Sequence, residues 1–256
     1  MITLLTDFGL LDGYVGQLKA VIFEINPFVN IVDLTHDIEP YNLTQSAFLL
    51  SKTSERFPPD TIHVAVVDPG VGSTRRPLLA VTPKGSFVAP DNGILSAVLS
   101  EQSGRSTVFQ ISNQTYWRHP VSSTFHGRDI FGPVAAHLSL GLDPEKVGEE
   151  VSDPICHPVN KPIWADGKLQ GEIVHIDRFG NLITNIDREL VNYRSSLSVF
   201  IKNEVITDLV ANYSQSEGLM ALPGSFDTLE IALNHGSAAK HLNAHVGDNV
   251  CVFDAF

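Results

Sequence analysis

The sequence predicts an α/β N-terminal domain on a mainly parallel sheet, followed by a small all-β, barrel-like C-terminal domain. Three observations carry this expectation. Up to about residue 150, strand-like apolar runs alternate with stretches of helical period. The run Ile62–Val67 is apolar except for His63, the pattern of a strand covered on both faces of a parallel sheet. Beyond Asp153 helical periodicity fades and short strand-like runs take over.

Ile2–Leu5 reads as a first strand. Tyr14, Val15, Leu18, Val21, Ile22 and Ile25 then repeat at helical spacing, with Asp12 as candidate cap and Asn26-Pro27 as the stop. Asn30–Leu34 is a second strand. A helix from about Asn42 to Arg56 ends at Phe57-Pro58-Pro59. After the strand Ile62–Val67, Leu78–Val81 and Ser86–Ala89 form a hairpin pair. Asp91-Asn92-Gly93 is a turn before a short helix, Ile94–Leu99, and another helix spans Ile130–Leu140. Asp153–Pro162 holds three prolines in ten residues and reads as a linker. The expected division is residues 1–152, a linker at 153–164, and an all-β domain at 165–256. Strands are expected there at Gly171–Ile176, Leu197–Ile201, Leu229–Leu233 and Val250–Phe253. Repeats and low-complexity tracts are not evident.

With 256 residues, 43% of them hydrophobic, the chain can bury a substantial core. Acidic residues outnumber basic ones 29 to 17, giving a formal charge of −12. That argues against nucleic acid, whose binding draws mainly on a basic face. Cys156 and Cys251 form no disulfide framework or metal knuckle and read as free thiols in a reducing compartment. The N-terminus lacks a basic segment before a long apolar stretch, and no run approaches 18 apolar residues. A soluble, cytoplasmic protein is the expectation.

Two stretches carry the chemistry. Val67-Asp68-Pro69-Gly70-Val71-Gly72-Ser73-Thr74-Arg75-Arg76 leads from a strand into a Gly/Pro loop, placing a carboxylate at a strand end with guanidiniums seven and eight residues later. Thr124-Phe125-His126-Gly127-Arg128-Asp129 places a histidine before a helix-like run. An acid, an arginine and a histidine on strand-end loops suit a polar reaction at neutral pH. From spacing alone, a loop-capping Asp68, an exposed Arg75 and a loop His126 account for the same residues. Asp7 ends the first strand, where a carboxylate can accept both hydrogens of a ribose diol or cap a loop. No GxGxxG follows, and Gly70-Val71-Gly72 lacks a third glycine, so a phosphate-free nucleoside fits better than NAD or ATP. Taken alone, Ile176–Leu182 reads as a hairpin with Gly180-Asn181 as its turn and Phe179 in the core.

VVDPGVGSTRR at 66–76, FHGRD at 125–129 and Ile176-Asp177-Arg178-Phe179-Gly180-Asn181 closely resemble the S-adenosylmethionine hydroxide adenosyltransferases, relatives of fluorinase and chlorinase enzymes. The resemblance runs from Leu5-Thr6-Asp7-Phe8-Gly9 to Leu229-Glu230-Ile231-Ala232. It implies a Rossmann-like first domain and hydrolysis of S-adenosyl-L-methionine to adenosine and L-methionine, without metal or cofactor. By the same resemblance, Asp68, Arg75 and His126 bind and activate water, whose bulk pKa of about 15.7 makes it a poor nucleophile. Asp7 would hold the ribose, and Tyr41 would pack near the ligand. Asp177 would meet the methionine ammonium, Phe179 the base and Asn181 its edge. Ser225 would meet the methionine carboxylate, although Phe226 stands where relatives often carry arginine. Asn234 and His235 would offer backbone contacts to adenine. The halide-using relatives have Tyr-Ser where this chain has His126-Gly127, which favours water over halide. A homotrimer with sites between one subunit's first domain and a neighbour's second is also implied.

Two other readings are open at this level. Asp33-Leu34-Thr35-His36-Asp37, with Asp7, Asp68, Asp91 and His126, has the ligand types of a metal-dependent hydrolase. A nucleoside-binding module without catalysis would need Asp7 and Asp177 but not the acid–arginine–histidine set.

Overall fold

The computed structural model describes residues 1–102, 104–191 and 197–254. The chain divides into two compact units, Met1–Val159 and Asn160–Phe256.

The first unit is a mixed α/β layer structure. Its strands are β1 (Ile2–Thr6), β2 (Ile31–Thr35), β3 (Ile62–Val66), β4 (Pro77–Thr82), β5 (Gly85–Pro90) and β6 (Thr107–Gln110), in the sheet order β2-β1-β3-β5-β4-β6. β2, β1, β3 and β5 pair in parallel, while β4 runs antiparallel to β5 and β6. The alternation of each strand sends side chains to two separate cores. Ile2, Leu4, Val64, Val66 and Val88 face α1 (Tyr14–Ile25) and α4 (Gly132–Ser139) through Leu18, Ile22, Val134 and Ala135. Leu5, Ala65, Val67, Phe87 and Ala89 face α2 (Leu43–Ser54) and α3 (Ser96–Gln102) through Leu50 and Val98. Each fully buried Leu, Ile, Val or Phe contributes roughly 1.5–3 kcal/mol, which is how a sheet with so little exposed face holds.

Several local expectations change. Asp12 does not cap α1; the N-cap is Gly13, in the left-handed region at φ 70° with no side-chain cap bond. Asn42 does cap α2, its side chain accepting from the Gln45 amide. The helix after Asp91-Asn92-Gly93 starts later, at Ser96, because Ile94 and Leu95 complete the turn that Ser96 closes onto the Gly93 carbonyl. The last helix begins as a π turn, Gly127–Phe131, before α4. β6 was not anticipated from the sequence.

The second unit is a nearly closed antiparallel barrel. Its strands are β7 (Ile163–Ala165), β8 (Lys168–Ile176), β9 (Leu182–Asp187), β10 (Leu197–Ile201), β11 (Glu204–Ile206), β12 (Leu219–Pro223), β13 (Thr228–Leu233) and β14 (Asn249–Asp254). They follow the order β11-β10-β14-β8-β9-β13-β12, with β7 paired to β8. β8 makes the curvature: Leu169–Glu172 pair with β14, then Ile173–Ile176 pair with β9 across a register break. The segment after β11 approaches the opposite edge, where Val210 donates to the Ala221 carbonyl and Ala221 to that of Asp208, both at 2.9 Å. Leu169, Ile173, Leu182, Val199, Ile231 and Val250 are among the side chains filling the interior. A short helix, α5 (Ala238–Leu242), is capped by Ser237, whose side chain accepts from the Lys240 amide. β7, β9, β11, β12 and α5 were not anticipated. Among the described residues no helix is long and apolar enough to cross a membrane.

Candidate active site

In the first unit the chain passes from β1 through α1 to β2 on one side, and then across to β3 on the other. β1 and β3 therefore flank a point where the strand order reverses, and the crevice beyond such strand ends is where open α/β sheets bind ligands. Asp7 follows β1 and Asp68 lies two residues beyond β3, on adjacent strands whose last residues, Thr6 and Val66, are in register.

Asp68, Arg75 and His126 come together at this edge. Arg75 Nε donates to Asp68 Oδ1 at 3.0 Å, and Nη2 donates to Asp68 Oδ2 in a short contact. The same Nη2 lies 2.7 Å from His126 Nδ1. The side chains of Arg75 and Asp68 are only 8% and 5% exposed, so this is a buried ion pair rather than a solvated one. The Arg75 guanidinium also stacks over Phe131, 5.3 Å from the ring centroid. Its remaining terminal nitrogen, Nη1, is buried with no hydrogen-bond partner among the described residues, the kind of group that calls for an explanation.

The geometry assigns the His126 tautomer. A guanidinium has no acceptor, so Nδ1 must be the unprotonated nitrogen and the ring proton sits on Nε2. Burial, and then the Arg75 charge, hold the imidazole below its ordinary pKa, against smaller opposite effects of Asp68 and Asp129. His126 is thus neutral near pH 7 and presents a donor at Nε2. As held here, His126 Nδ1 accepts from Arg75.

The loop carrying His126 is fixed by Asp129, which is fully buried. Its carboxylate receives Arg128 Nε at 2.7 Å, Arg128 Nη2 at 2.9 Å and the Ser122 amide at 2.8 Å. Phe8, Tyr14 and Phe125 form an edge-to-face trio with centroids 5.4–6.1 Å apart beside this loop. Gly72 lets the loop after Asp68 meet it: a Cβ there would lie 2.3 Å from the Ser123 carbonyl oxygen, and φ is 78°. Asp129 and Phe125 were visible in the FHGRD motif, but nothing in their spacing marked them as supports.

Asp7 Oδ2 accepts the Tyr41 amide at 3.0 Å. Tyr41 takes a left-handed φ of 67° and is 69% exposed; strained backbone of this kind clusters at ligand clamps and active sites. His36 buttresses the sheet edge, with Nδ1 2.8 Å from Thr6 Oγ1 and Nε2 3.1 Å from Asp33 Oδ1. Among the described residues no group of three or more His, Cys, Asp or Glu is arranged to hold a metal ion, so the constellation Asp7, Asp33, His36, Asp68, Asp91, His126 does not assemble.

In the second unit, Asp177–Asn181 connects β8 to β9. Asp177 Oδ1 accepts the amides of Phe179 and Asn181, both at 2.9 Å, and Oδ2 accepts Asn181 Nδ2 at 3.0 Å. The segment is a hairpin, but Phe179 is not in the core: the residue is 77% exposed. Gly180 permits the close approach of α5, since a Cβ would lie 2.0 Å from Ser237 Oγ, and φ is 85°. Ser225 is exposed in the turn between β12 and β13, and Phe226 packs edge-on to His175 at 6.4 Å. Asn234 is tied to the segment that precedes β12, Nδ2 donating to the Ser216 carbonyl at 2.9 Å. His235 is exposed with φ 54°. Glu230, passed over in the sequence except as part of a motif, lies 2% exposed beneath Gly224 and accepts the Tyr213 hydroxyl at 2.6 Å.

The model of the SAM hydroxide adenosyltransferase N-terminal domain matches residues 2–148, and that of the C-terminal domain matches 171–251. The chain is 36% identical to an (R)-S-adenosyl-L-methionine hydrolase of Thermus thermophilus, over 95% of both chains. It is 34% identical to one of Methanocaldococcus jannaschii, over 98% of this chain and 94% of that one. A fluorinase of Nocardia brasiliensis is 26% identical over 98% and 96%. A crystal structure of a conserved Thermotoga maritima protein superposes with a TM-score of 0.94 at 38% identity, covering 99% of this chain and all of that one. Both halves of the chain thus match in order and nearly end to end, and the chain belongs to the S-adenosylmethionine hydroxide adenosyltransferase family.

Proposed function

We propose that this chain hydrolyses S-adenosyl-L-methionine to adenosine and L-methionine by attack of hydroxide on the ribose 5′ carbon. The observation that carries the reading is the buried Asp68–Arg75–His126 cluster at the β1/β3 strand ends, with two donors left over, Arg75 Nη1 and His126 Nε2–H. Two such donors favour hydroxide over water, and neither can take a proton. The parent water therefore loses its proton to solvent before attack. The oxygen then bonds to C5′, the C5′–S bond breaks, and its electron pair stays on sulfur as methionine leaves as a neutral thioether. The anion and the sulfonium neutralise each other, so a dry pocket favours the transition state, and alignment of the three atoms supplies much of the remainder.

Asp68 holds the Arg75 fork, while Asp7 keeps Oδ1 for the ribose diol and Tyr41 packs beside the ligand. Asp177 meets the ammonium, Phe179 covers the base, Asn181 reads its edge, Ser225 meets the carboxylate, and the Asn234 and His235 backbones meet adenine. The exposure of Phe179 and Tyr41 supports an aromatic role at a ligand rather than in packing. His126-Gly127 supports water over halide; a Cβ at Gly127 would come within 3.2 Å of the Phe8 ring. A homotrimer with shared sites and a cytoplasmic setting, in keeping with the free Cys156 and Cys251, belong to the same proposal.

The test is product analysis with pure protein stripped of metal by a strong chelator and supplied with chloride or fluoride. Adenosine and methionine in equal amounts are expected. A 5′-halogenated nucleoside, or activity only after divalent ions are returned, would replace this reading with another.

A further inference from the structure

The turn Asp91-Asn92-Gly93 has no part in the chemistry above, yet it grips both ends of the loop that carries Asp68 and Arg75. Asn92 Nδ2 donates to the carbonyl of Val67, the residue before Asp68, at 2.8 Å. At the other end Arg76, the residue after Arg75, donates Nε to Asp91 Oδ2 at 2.7 Å, and its carbonyl accepts the Asp91 amide at 2.9 Å. Successive side chains of an extended segment point to opposite sides. Arg75 therefore enters the site while Arg76 enters the turn, and a main-chain rotation that slackens one displaces the other.

A strap then closes over the turn. Arg76 Nη1 donates to Asp153 Oδ1 and Nη2 to the Asp153 carbonyl, both at 2.8 Å. The Ile155 amide donates to Asp91 Oδ1 at 2.7 Å. The His157 amide donates to Ser96 Oγ at 2.8 Å, and its ring fills the notch over Gly93, where a Cβ would lie 2.0 Å from it. Asp91 is 3% exposed and both its oxygens accept hydrogen bonds from within the fold.

We propose that Asp91, Asn92 and Arg76, locked by the strap Asp153–His157, are positioning residues that set the separation of Asp68 from Arg75 and so the reach of Arg75 to His126. The proline-rich stretch taken as a linker is then, over Asp153–His157, part of the catalytic scaffold. The hydrolase reading enters only the turnover part of the test.

Arg76→Lys keeps the charge and loses the fork, and Asn92→Asp is isosteric but turns an acceptor toward the Val67 carbonyl. Each is measured by the nitrogen resonances of the His126 imidazole, by turnover of S-adenosyl-L-methionine, and by affinity for S-adenosyl-L-homocysteine. The expected result is a displaced His126 Nδ1 signal and a kcat about ten- to hundredfold lower, with affinity held within about twofold. In an Arg75→Ala background neither substitution should lower kcat further. An unmoved His126 signal, or losses that multiply unchanged in that background, would overturn the proposal. A wild-type protein that turns over no S-adenosyl-L-methionine would refute the hydrolase reading, and the His126 signal would still decide this one.

Discussion

Replacing Arg75 by alanine removes a fork from a carboxylate 5% exposed, a donor from His126 Nδ1, and the buried Nη1 together. Two magnitudes follow. Breaking a buried ion pair by deleting one partner destabilises by about 3–5 kcal/mol, because Asp68 is left charged and unpaired. At about 2–4 °C per kcal/mol for a unit of this size, the melting temperature falls by roughly 6–20 °C. Losing one preorganised donor to the reacting oxygen lowers kcat by about 10²–10³. Stability and catalysis separate in the double variant Asp68→Asn/Arg75→Ala, which removes the orphan charge. It should regain most of the melting temperature and none of the rate. The assays are thermal unfolding, single-turnover hydrolysis, and affinity for S-adenosyl-L-homocysteine, which should change far less than turnover. Recovery of rate together with stability, or equal losses in turnover and affinity, would refute a chemical role for Arg75.

His63 is fully buried, bonded to Thr3 at 2.7 Å and stacked on Phe87, and burial pulls it from 6.5 to about 4. Its folded pKa is depressed, so this stability is complete above pH 6.5 and is lost as pH falls toward 4, by about 3 kcal/mol. Urea unfolding at both pH values should show that loss in the wild type and a flatter profile in His63→Leu; equal slopes would contradict it. His126 cannot be protonated without losing its Arg75 bond, and its pKa lies below the ordinary histidine value. The inflection of kcat/KM that belongs to His126 should therefore fall below pH 6.5 and vanish in His126→Asn, leaving only the rise with pH that deprotonation of the water imposes, whereas an inflection above pH 7 that is lost in His126→Asn would count against the tautomer. Phe179→Ala should weaken ligand binding by about 1–3 kcal/mol with little change in melting, since the residue is 77% exposed; a large loss of stability would return Phe179 to the core. Gly180→Ala forces a Cβ onto Ser237 at an unfavourable φ, and should damage both folding of the second unit and binding; a melting temperature equal to wild type would show that α5 gives way.

What the sequence could convey depended on length and continuity. β1 and β3 are mostly apolar runs, interrupted only by Thr3, Thr6 and His63, closed by Asp7 and by Asp68-Pro69-Gly70, and both were legible. β7 and β11 have three residues, β6 four and α5 five, too few for a period to emerge against their neighbours. Helix entry at Gly13 was missed because a left-handed glycine cap leaves no side-chain signature, while Asp12 offers a false one. In the site, Asp68 and Arg75 are close in sequence and a turn suffices to join them. His126 lies 51 residues beyond Arg75, and only the family resemblance connected it. The tautomer of His126 was out of reach altogether, because it depends on which ring nitrogen Arg75 faces. Phe179 shows the opposite case: patterning alone placed it in the core, and the resemblance placed it at a ligand, as its exposure supports.

The central claim is tested most directly by incubating S-adenosyl-L-methionine with the protein in ¹⁸O-labelled water and weighing the products. The account predicts adenosine with the heavy oxygen at its 5′ position and unlabelled methionine. Unchanged S-adenosyl-L-methionine, or adenosine without the label, would contradict it.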